Sequence, residues 1–389
     1  MRLFLPALLA VGAVFTWQSL TVRYSYGGNW SGLFCTGALS PPPVALAQEH
    51  IYLNPGSVGY DGQAYHYIAH DPFFQRGLSK VLDDPRLRTQ RILFPLLAWL
   101  LAFGSDSRID AALITVQLLF CGPGVYWLSR LAVLQQRSPW WGLWFLALPP
   151  VLVSIDRLLA DGGLAALAVG FVFYTRTQRW AAVWLICALA ALTRDTGLVL
   201  VAAMVLYCAW EGFWRRAALF LLTLAPAQAW KFFCSLHTPA DPSRWLGWIP
   251  LQGLFTRFFN QHAYNNLPSP VATLCVALDY LALLGIALAI WQAIELARSH
   301  RTTPVAIAIY GYALIAVFVR NPDVWADVYG FGRTLGPLLL FLALERLAIQ
   351  PQTASAERLT CLPTALVDPR ILLQWGRQVL SVAKGLAGG

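Results

Sequence analysis

Apolar residues fall along this chain in long runs, and short connecting stretches between them hold nearly all of the charge. Runs of this kind match a bilayer, whose hydrocarbon core of about 30 Å takes roughly 20 apolar helical residues, or fewer where aromatic ends and neighbouring helices help. They predict about ten spans, at 3–22, 109–129, 140–155, 159–175, 180–193, 196–211, 217–235, 270–297, 304–319 and 334–349. The run Arg91–Gly104 is only about 21 Å long as a helix and has Pro95 in its first turns, so it predicts a re-entrant or surface helix. Two long segments, 23–108 and 236–269, remain outside the spans, and the first carries the rigid triplet Pro41-Pro42-Pro43. The fold class expected is therefore an all-α polytopic membrane protein with a large, partly helical first extracytoplasmic loop. Residues 1–349 form its membrane domain and 350–389 a cytoplasmic tail. Within the tail, 366–384 is helical in pattern: Arg370, Arg377 and Lys384 recur at seven-residue spacing, opposite Leu372, Leu373, Val379 and Leu380. That predicts an amphipathic helix lying on the inner leaflet, with a plain solvated helix as the alternative.

Composition strengthens the membrane assignment. Of 389 residues, 58% are hydrophobic and only 12% charged, about half the roughly 25% of an ordinary soluble domain. Disordered and fibrous classes are excluded. The seventeen Trp suit a bilayer interface, where one edge of the indole is wet and the other apolar. The net charge of +9 would suggest nucleic acid if it were clustered, but single basic residues or close pairs punctuate the apolar runs, so no nucleic-acid partner is expected. If 91–104 does not span, the inside connections carry Arg130 and Arg137, Arg176 and Arg179, Arg215 and Arg216, and Arg298 and Arg301, as the positive-inside rule requires. Both termini then fall in the cytoplasm. The small-residue site Ala45-Leu46-Ala47 lies too far beyond the first apolar run for normal signal cleavage, so the first span is expected to be retained. The seven cysteines include no CxxC pair, and Cys121, Cys187, Cys208 and Cys275 sit inside apolar runs as small hydrophobes.

Candidate chemistry concentrates in the first outside loop, Gly59-Tyr60-Asp61-Gly62-Gln63-Ala64-Tyr65-His66-Tyr67-Ile68-Ala69-His70-Asp71-Pro72. A helix starting near Asp61 and ending before Pro72 places Asp61, Tyr65 and Ala69 on one face. Helix capping alone would explain an aspartate at that point. His66 and His70, at i and i+4, share another face and are weak candidates for metal ligands, with Asp71 or His262 as a third. No cofactor is expected, and a divalent metal is the minor alternative. Asp279, ten residues into a span, should face the protein interior with a Ser, Tyr or Trp partner.

The Tyr-Asp-Gly with trailing aromatics, followed by DDPRLRTQRILFPLLAWLL (Asp83 to Leu101), resembles the bacterial polytopic proteins of cell-surface glycopolymer formation, within the GT-C class of glycosyltransferases. ALTRDTGLVL (Ala191 to Leu200) and VYGFGRTLGPLLLF (Val328 to Phe341) add to the resemblance, which does not cover the tail. It implies an inner-membrane enzyme that moves a sugar from a polyprenyl-phosphate donor to a glycan or glycolipid acceptor on the extracytoplasmic face. By that analogy Asp61 is the catalytic base, or the group that orients the acceptor, in a transfer with inversion. Tyr60, Gln63 and Tyr65 would contact substrate, and Arg88, Arg91, Arg194, Arg320 and Arg333 would hold the donor phosphate. A transporter or flippase for lipid-linked sugars, or a noncatalytic assembly partner, is the alternative; the former should show polar residues and broken helices at the membrane midplane.

Overall fold

The computed structural model describes residues 3–240, 245–264, 267–347 and 354–387, with side chains omitted for 346–347 and 354–360. Among them there is no β-strand, only isolated bridges between Gly37 and Asn54 and between Leu246 and Val319. The first helix, α1 (Leu5–Ser25), is followed by a long loop containing α2 (Asp61–His70), α3 (Pro85–Gln90) and α4 (Leu93–Leu101). The bundle continues through α5 (Ile109–Leu134), α6 (Pro149–Arg157), α7 (Asp161–Arg176), α8 (Trp180–Thr193), α9 (Leu198–Trp210), α10 (Trp214–Leu221) and α11 (Ala225–His237). A second loop carries α12 (Gln252–Phe259). Beyond it come α13 (Ser269–Arg298), α14 (Pro304–Phe318), α15 (Pro322–Trp325), α16 (Val328–Thr334), α17 (Gly336–Leu347) and α18 (Ala354–Ala387).

Four stretches are long and apolar enough to cross a membrane: Leu5–Ser25, Asp106–Leu134, Trp214–His237 and Ser269–Arg298. A fifth results if Val328–Thr334 and Gly336–Glu345, bent by 45°, count as one. The other apolar helices, α8, α9 and α14, are shorter. The expected span at 140–155 is divided at Leu148 into a 3-10 segment, Pro139–Ala147, and α6, because Pro149 and Pro150 restart the helix. The end of the expected span at 334–349, beyond residue 347, lies outside the described residues. The 9-residue α4 is about 14 Å long and packs on α5 and α2, in keeping with a helix that does not span.

Connections alternate between two ends of the bundle, and ion pairs mark each end. At one end Arg176, the last residue of α7, and Arg301, before α14, both reach Glu345 near the end of α17. At the other, Asp61 of the first loop, Asp161 at the start of α7, Arg194 after α8 and Arg333 of α16 are joined to one another. The surface is apolar while charges are buried: Leu8, Phe103, Trp210 and Trp248 are exposed, whereas Asp61, Asp161, Arg91, Arg194, Arg257, Asp279 and Arg370 are buried. Water does not favour that distribution and a lipid surround does.

The tail is the main departure from expectation. Instead of lying apart on the inner leaflet, α18 packs along α13, α1 and α17. Trp375 stacks on Trp17 at 5.1 Å, and Ser381 meets Tyr24 and Ser25 at the far end of α1. Arg370 points inward and is buried, while Leu372, Val379 and Leu380 are exposed. Of the three basic residues only Arg370 turns to protein, in company with Val367, Ile371 and Val382, while Arg377 and Lys384 share the exposed surface with those leucines and Val379. The spacing alone does not say which face meets which solvent. The end of α18 therefore lies beside the C-terminal end of α1.

Arg370 and Asp279 explain each other. Asp279 accepts from Arg257 at 2.8 Å, Arg370 at 3.1 Å and Tyr264 at 2.6 Å. A tyrosine partner was expected; the two arginines, one from the second loop and one from the tail, were not.

This packing is open to a direct check. A Ser25→Cys, Ser381→Cys double variant should form an intrachain disulfide on mild oxidation, since the two hydroxyl oxygens lie 3.3 Å apart. Gel-shift analysis against the two single variants reads the outcome, and a tail lying on the opposite face would give no crosslink.

Candidate active site

The Tyr-Asp-Gly step folds as it does because α2 starts against the end of α6. Tyr60 is the N-cap in extended conformation, and Asp61 is the first helical residue with no capping hydrogen bond. The capping explanation of Asp61 therefore fails. At Gly62 a Cβ would lie 2.4 Å from the Arg157 carbonyl oxygen and 2.7 Å from that of Phe34, so only glycine permits this approach.

The buried Asp61 carboxylate is held by two guanidinium groups: Arg88 Nη1 at 2.6 Å from Oδ1 and Arg333 Nη2 at 2.7 Å from Oδ2. Arg88 also grips Asp83 through two nitrogens, at 3.0 and 2.7 Å. Arg333 Nη1 approaches Asp161 at 3.7 Å; Asp161 is in turn paired with Arg194, which donates to Thr334 at 3.1 Å. Arg91 lies 3.6 Å from Asp195, which Lys231 engages at 3.0 Å. The Tyr60 ring lies beneath Arg157 at 4.3 Å and Arg333 at 4.9 Å, a cation–π wall on the helix N-cap.

Asp61 stands where two polar cavities meet. One, of about 390 Å³, is lined by Asp61, Arg88, Arg91, Arg194 and Arg333 together with Trp245 and Asp327. The second, of about 300 Å³, shares Tyr60, Asp61, Asp83 and Arg88 and extends to Gln63 and Tyr67. A third cavity of about 340 Å³ shares Arg91, Arg194 and Trp245 with the first but is walled by Leu246, Ile315 and Val319. The arrangement thus offers carboxylate, cations and apolar groove in sequence. Several guanidinium nitrogens facing this region, including Nε and Nη1 of Arg333, have no hydrogen-bond partner in the protein. A buried unsatisfied donor of this kind favours an anionic ligand.

Most of the sequence-named residues gather here, with exceptions. Gln63 lines the second cavity, but its amide is occupied by backbone, accepting from Gly37 and donating to Val58. Tyr65 is buried and lines none of the three cavities, and its hydroxyl has no partner. Arg320 is exposed and absent from all three linings; its backbone N–H donates to Trp245. Arg157 and Asp161 are placed at this end of the bundle by sequence as well, as a candidate cation and a candidate acid or helix cap, and the fold supplies their partners, Tyr60 and Arg194. Asp327, by contrast, is a cap: it accepts from Gly330 at 2.8 Å.

His66 and His70 do form one cluster, but with Asp106, in the turn before α5, and Asp110, in the first turn of α5. Asp71 is no ligand, because its carboxylate accepts from the backbone of Gln75, Arg76 and Leu78. His262 instead meets the Tyr264 ring edge-on. Burial and then the neighbouring His66 push His70 down to about 4, against an upward pull from Asp106.

Searches of protein-family models, curated proteins and solved structures found no match to this chain.

Burial alone would raise the Asp61 pKa, but Arg333, then Arg88, Arg91 and Arg194 hold it far below the ordinary carboxylate range. A carboxylate so depressed contributes stability that is complete above its unfolded pKa of about 4 and is lost as pH falls through the folded value. The Tm advantage of the wild type over Asp61→Asn should therefore be flat from about pH 5 to 8 and shrink below about pH 4. A Tm difference independent of pH down to pH 2 would show that the charge of Asp61 plays no part in the network.

Proposed function

We propose that the chain is a multi-pass glycosyltransferase of GT-C type in the bacterial inner membrane, with its N-terminus cytoplasmic and Asp61 on the extracytoplasmic side. It would move a sugar from a polyprenyl-phosphate carrier to a glycan or glycolipid acceptor. The observation that carries this reading is the position of Asp61: it borders two polar cavities, one of which runs past four arginines into an apolar groove. A lipid-linked phosphosugar has that order of parts. The carrier chain lies against Leu246, Ile315 and Val319, the phosphate meets Arg91, Arg194 and Arg333, and the sugar reaches Asp61. The acceptor enters from the cavity bordered by Tyr60 and Gln63. The concentration of polar groups at one end supports an enzyme over a transporter. Even Asp279 is reached by Arg257 and Tyr264 of the second loop, so it belongs to that end.

In the transfer, the acceptor hydroxyl oxygen forms a bond to the anomeric carbon from the face opposite the phosphate, inverting the centre. The carbon–phosphate oxygen bond breaks, and its electron pair leaves on the phosphate, where guanidinium groups stabilise the charge. The hydroxyl proton passes to the Asp61 carboxylate. Paired with two arginines, that carboxylate is a weak base. A donor phosphate that draws Arg333 toward itself loosens this hold and raises the basicity of Asp61 when the substrate is in place. Proton transfer also falls late, after the attacking hydroxyl has become acidic, so strong basicity is not required.

Asp61→Asn should lower sugar transfer by about 10²- to 10⁴-fold, measured as surface glycan in the producing cell and as turnover in proteoliposomes with protein level held equal. Arg333→Ala should raise the KM for lipid-linked donor. Wild-type turnover by a well-folded Asp61→Asn protein would sink the assignment.

A further inference from the structure

The first loop contains a second cluster, on the side of α2 away from Asp61. His66 follows Asp61 by five residues and His70 by nine, so both lie 140° to 180° around a helix of 3.6 residues per turn from the carboxylate. His66 Nε2 lies 2.8 Å from Asp110 Oδ1 and 3.2 Å from His70 Nε2. The three atoms lie within 4.8 Å of one another. Such convergence is hard to satisfy with protons alone. The Nδ1 of His70 donates to Asp106 at 2.7 Å, which leaves its Nε2 as a lone pair aimed at His66. One N–H on His66 then faces two acceptors.

We propose that His66, His70 and Asp110 bind a divalent transition-metal ion, with zinc the best match to two imidazoles and a carboxylate. Zinc–nitrogen bonds of about 2.0–2.1 Å in a tetrahedral site set the two nitrogens roughly 3.3 Å apart, against the 3.2 Å found. Asp110 has to swing away from His66 by roughly 0.5 Å and toward His70, across the longest side of a triad that spans 4.8 Å. Its side chain is 34% exposed while that of His66 is 1% exposed, so the ion enters from the carboxylate side and water completes its shell. Outer support is also present. Asp106 fixes the His70 tautomer, as carboxylates behind metal-bound histidines do. Arg76 in turn anchors Asp106 at 2.7 Å and donates to the His70 and Ala45 carbonyls. Phe34 stacks on the His66 ring at 4.1 Å. The ion would clip α2 to the start of α5 and so fix the direction in which Asp61 points. Its role is positional, and it does not depend on the identity of the substrate.

Elemental analysis of the full chain, purified in detergent without a polyhistidine tag and dialysed after zinc loading, should find about one zinc per chain. Cobalt(II) in its place should give the visible ligand-field bands of a low-symmetry nitrogen and oxygen site. His70→Ala should abolish both signals. Asp106→Asn, which does not touch the ion, should weaken zinc binding by about 10- to 100-fold. His237→Ala, at an exposed histidine, should change nothing. Zinc should raise the Tm of the wild type but not of His70→Ala. Less than about 0.1 zinc per wild-type chain with no cobalt band would overturn the proposal, leaving the cluster as two histidine–carboxylate hydrogen bonds. The wild-type measurement decides this even if the variants fail to fold.

Discussion

The grip of Arg88 and Arg333 on Asp61 is the joint on which the outer end of this protein depends. Arg88 belongs to the first loop and Arg333 to α16, more than two hundred residues later, so one carboxylate ties the start of α2 to the other side of the bundle. Asp161 and Arg194 extend the tie to the turns before α7 and after α8. Asp61, Asp161 and Arg194 are buried and Arg88 and Arg333 partly so, and a buried charge is tolerable only when partnered, because removing one member strands the others at a cost of about 3–5 kcal/mol. The network is therefore as much a structural clasp as a site. A substrate anion can enter only by sharing its cations.

That double duty explains the tension in the chemistry. A carboxylate dedicated to proton abstraction is best kept near neutrality in pKa, and Asp61 is held far from it. The same arginines that depress it line the cavity where a phosphate would sit. Cations shared between a resting internal anion and a substrate anion couple binding to activation without any large movement, since only the partner of the guanidinium changes. Arg333 is suited to this because it sits between Asp61 and Asp161 and still has donors without a hydrogen-bond partner.

The helical membrane class was legible from composition, and the gathering of Asp61, Arg88, Arg91, Arg194 and Arg333 followed from placing each at one end of an alternating bundle. What the sequence could not show was pairing. Arg370 and Asp279 are ninety-one positions apart, and no local pattern connects a tail arginine with an aspartate inside a span. The histidine pair on α2 was visible from its i, i+4 spacing, while its carboxylates come from residues 106 and 110, at the start of a different helix. Residues that are close only through folding leave no periodic trace. Arg320 marks the converse error, a basic residue at the right end of the bundle that lies outside the cavity.

The inward turn of Arg370 on α18 has consequences for the site. Arg370 does more than pair with Asp279, since it also lies over the rings of Tyr264 and Tyr329 at 5.2 and 5.6 Å. Tyr329 is stacked in turn against Arg157, whose guanidinium covers the Tyr60 ring beside Asp61. A continuous run of alternating guanidinium and aromatic groups thus connects the tail helix, the second loop, α16 and the first residue before α2. In a low-dielectric surround such contacts are stronger than in water. The tail, which the sequence set apart as a peripheral segment, is built into the wall that backs Asp61. Loss of α18 should be felt at the carboxylate before it is felt in the distant helices, because Arg370 holds the second loop and α16 in register with the first.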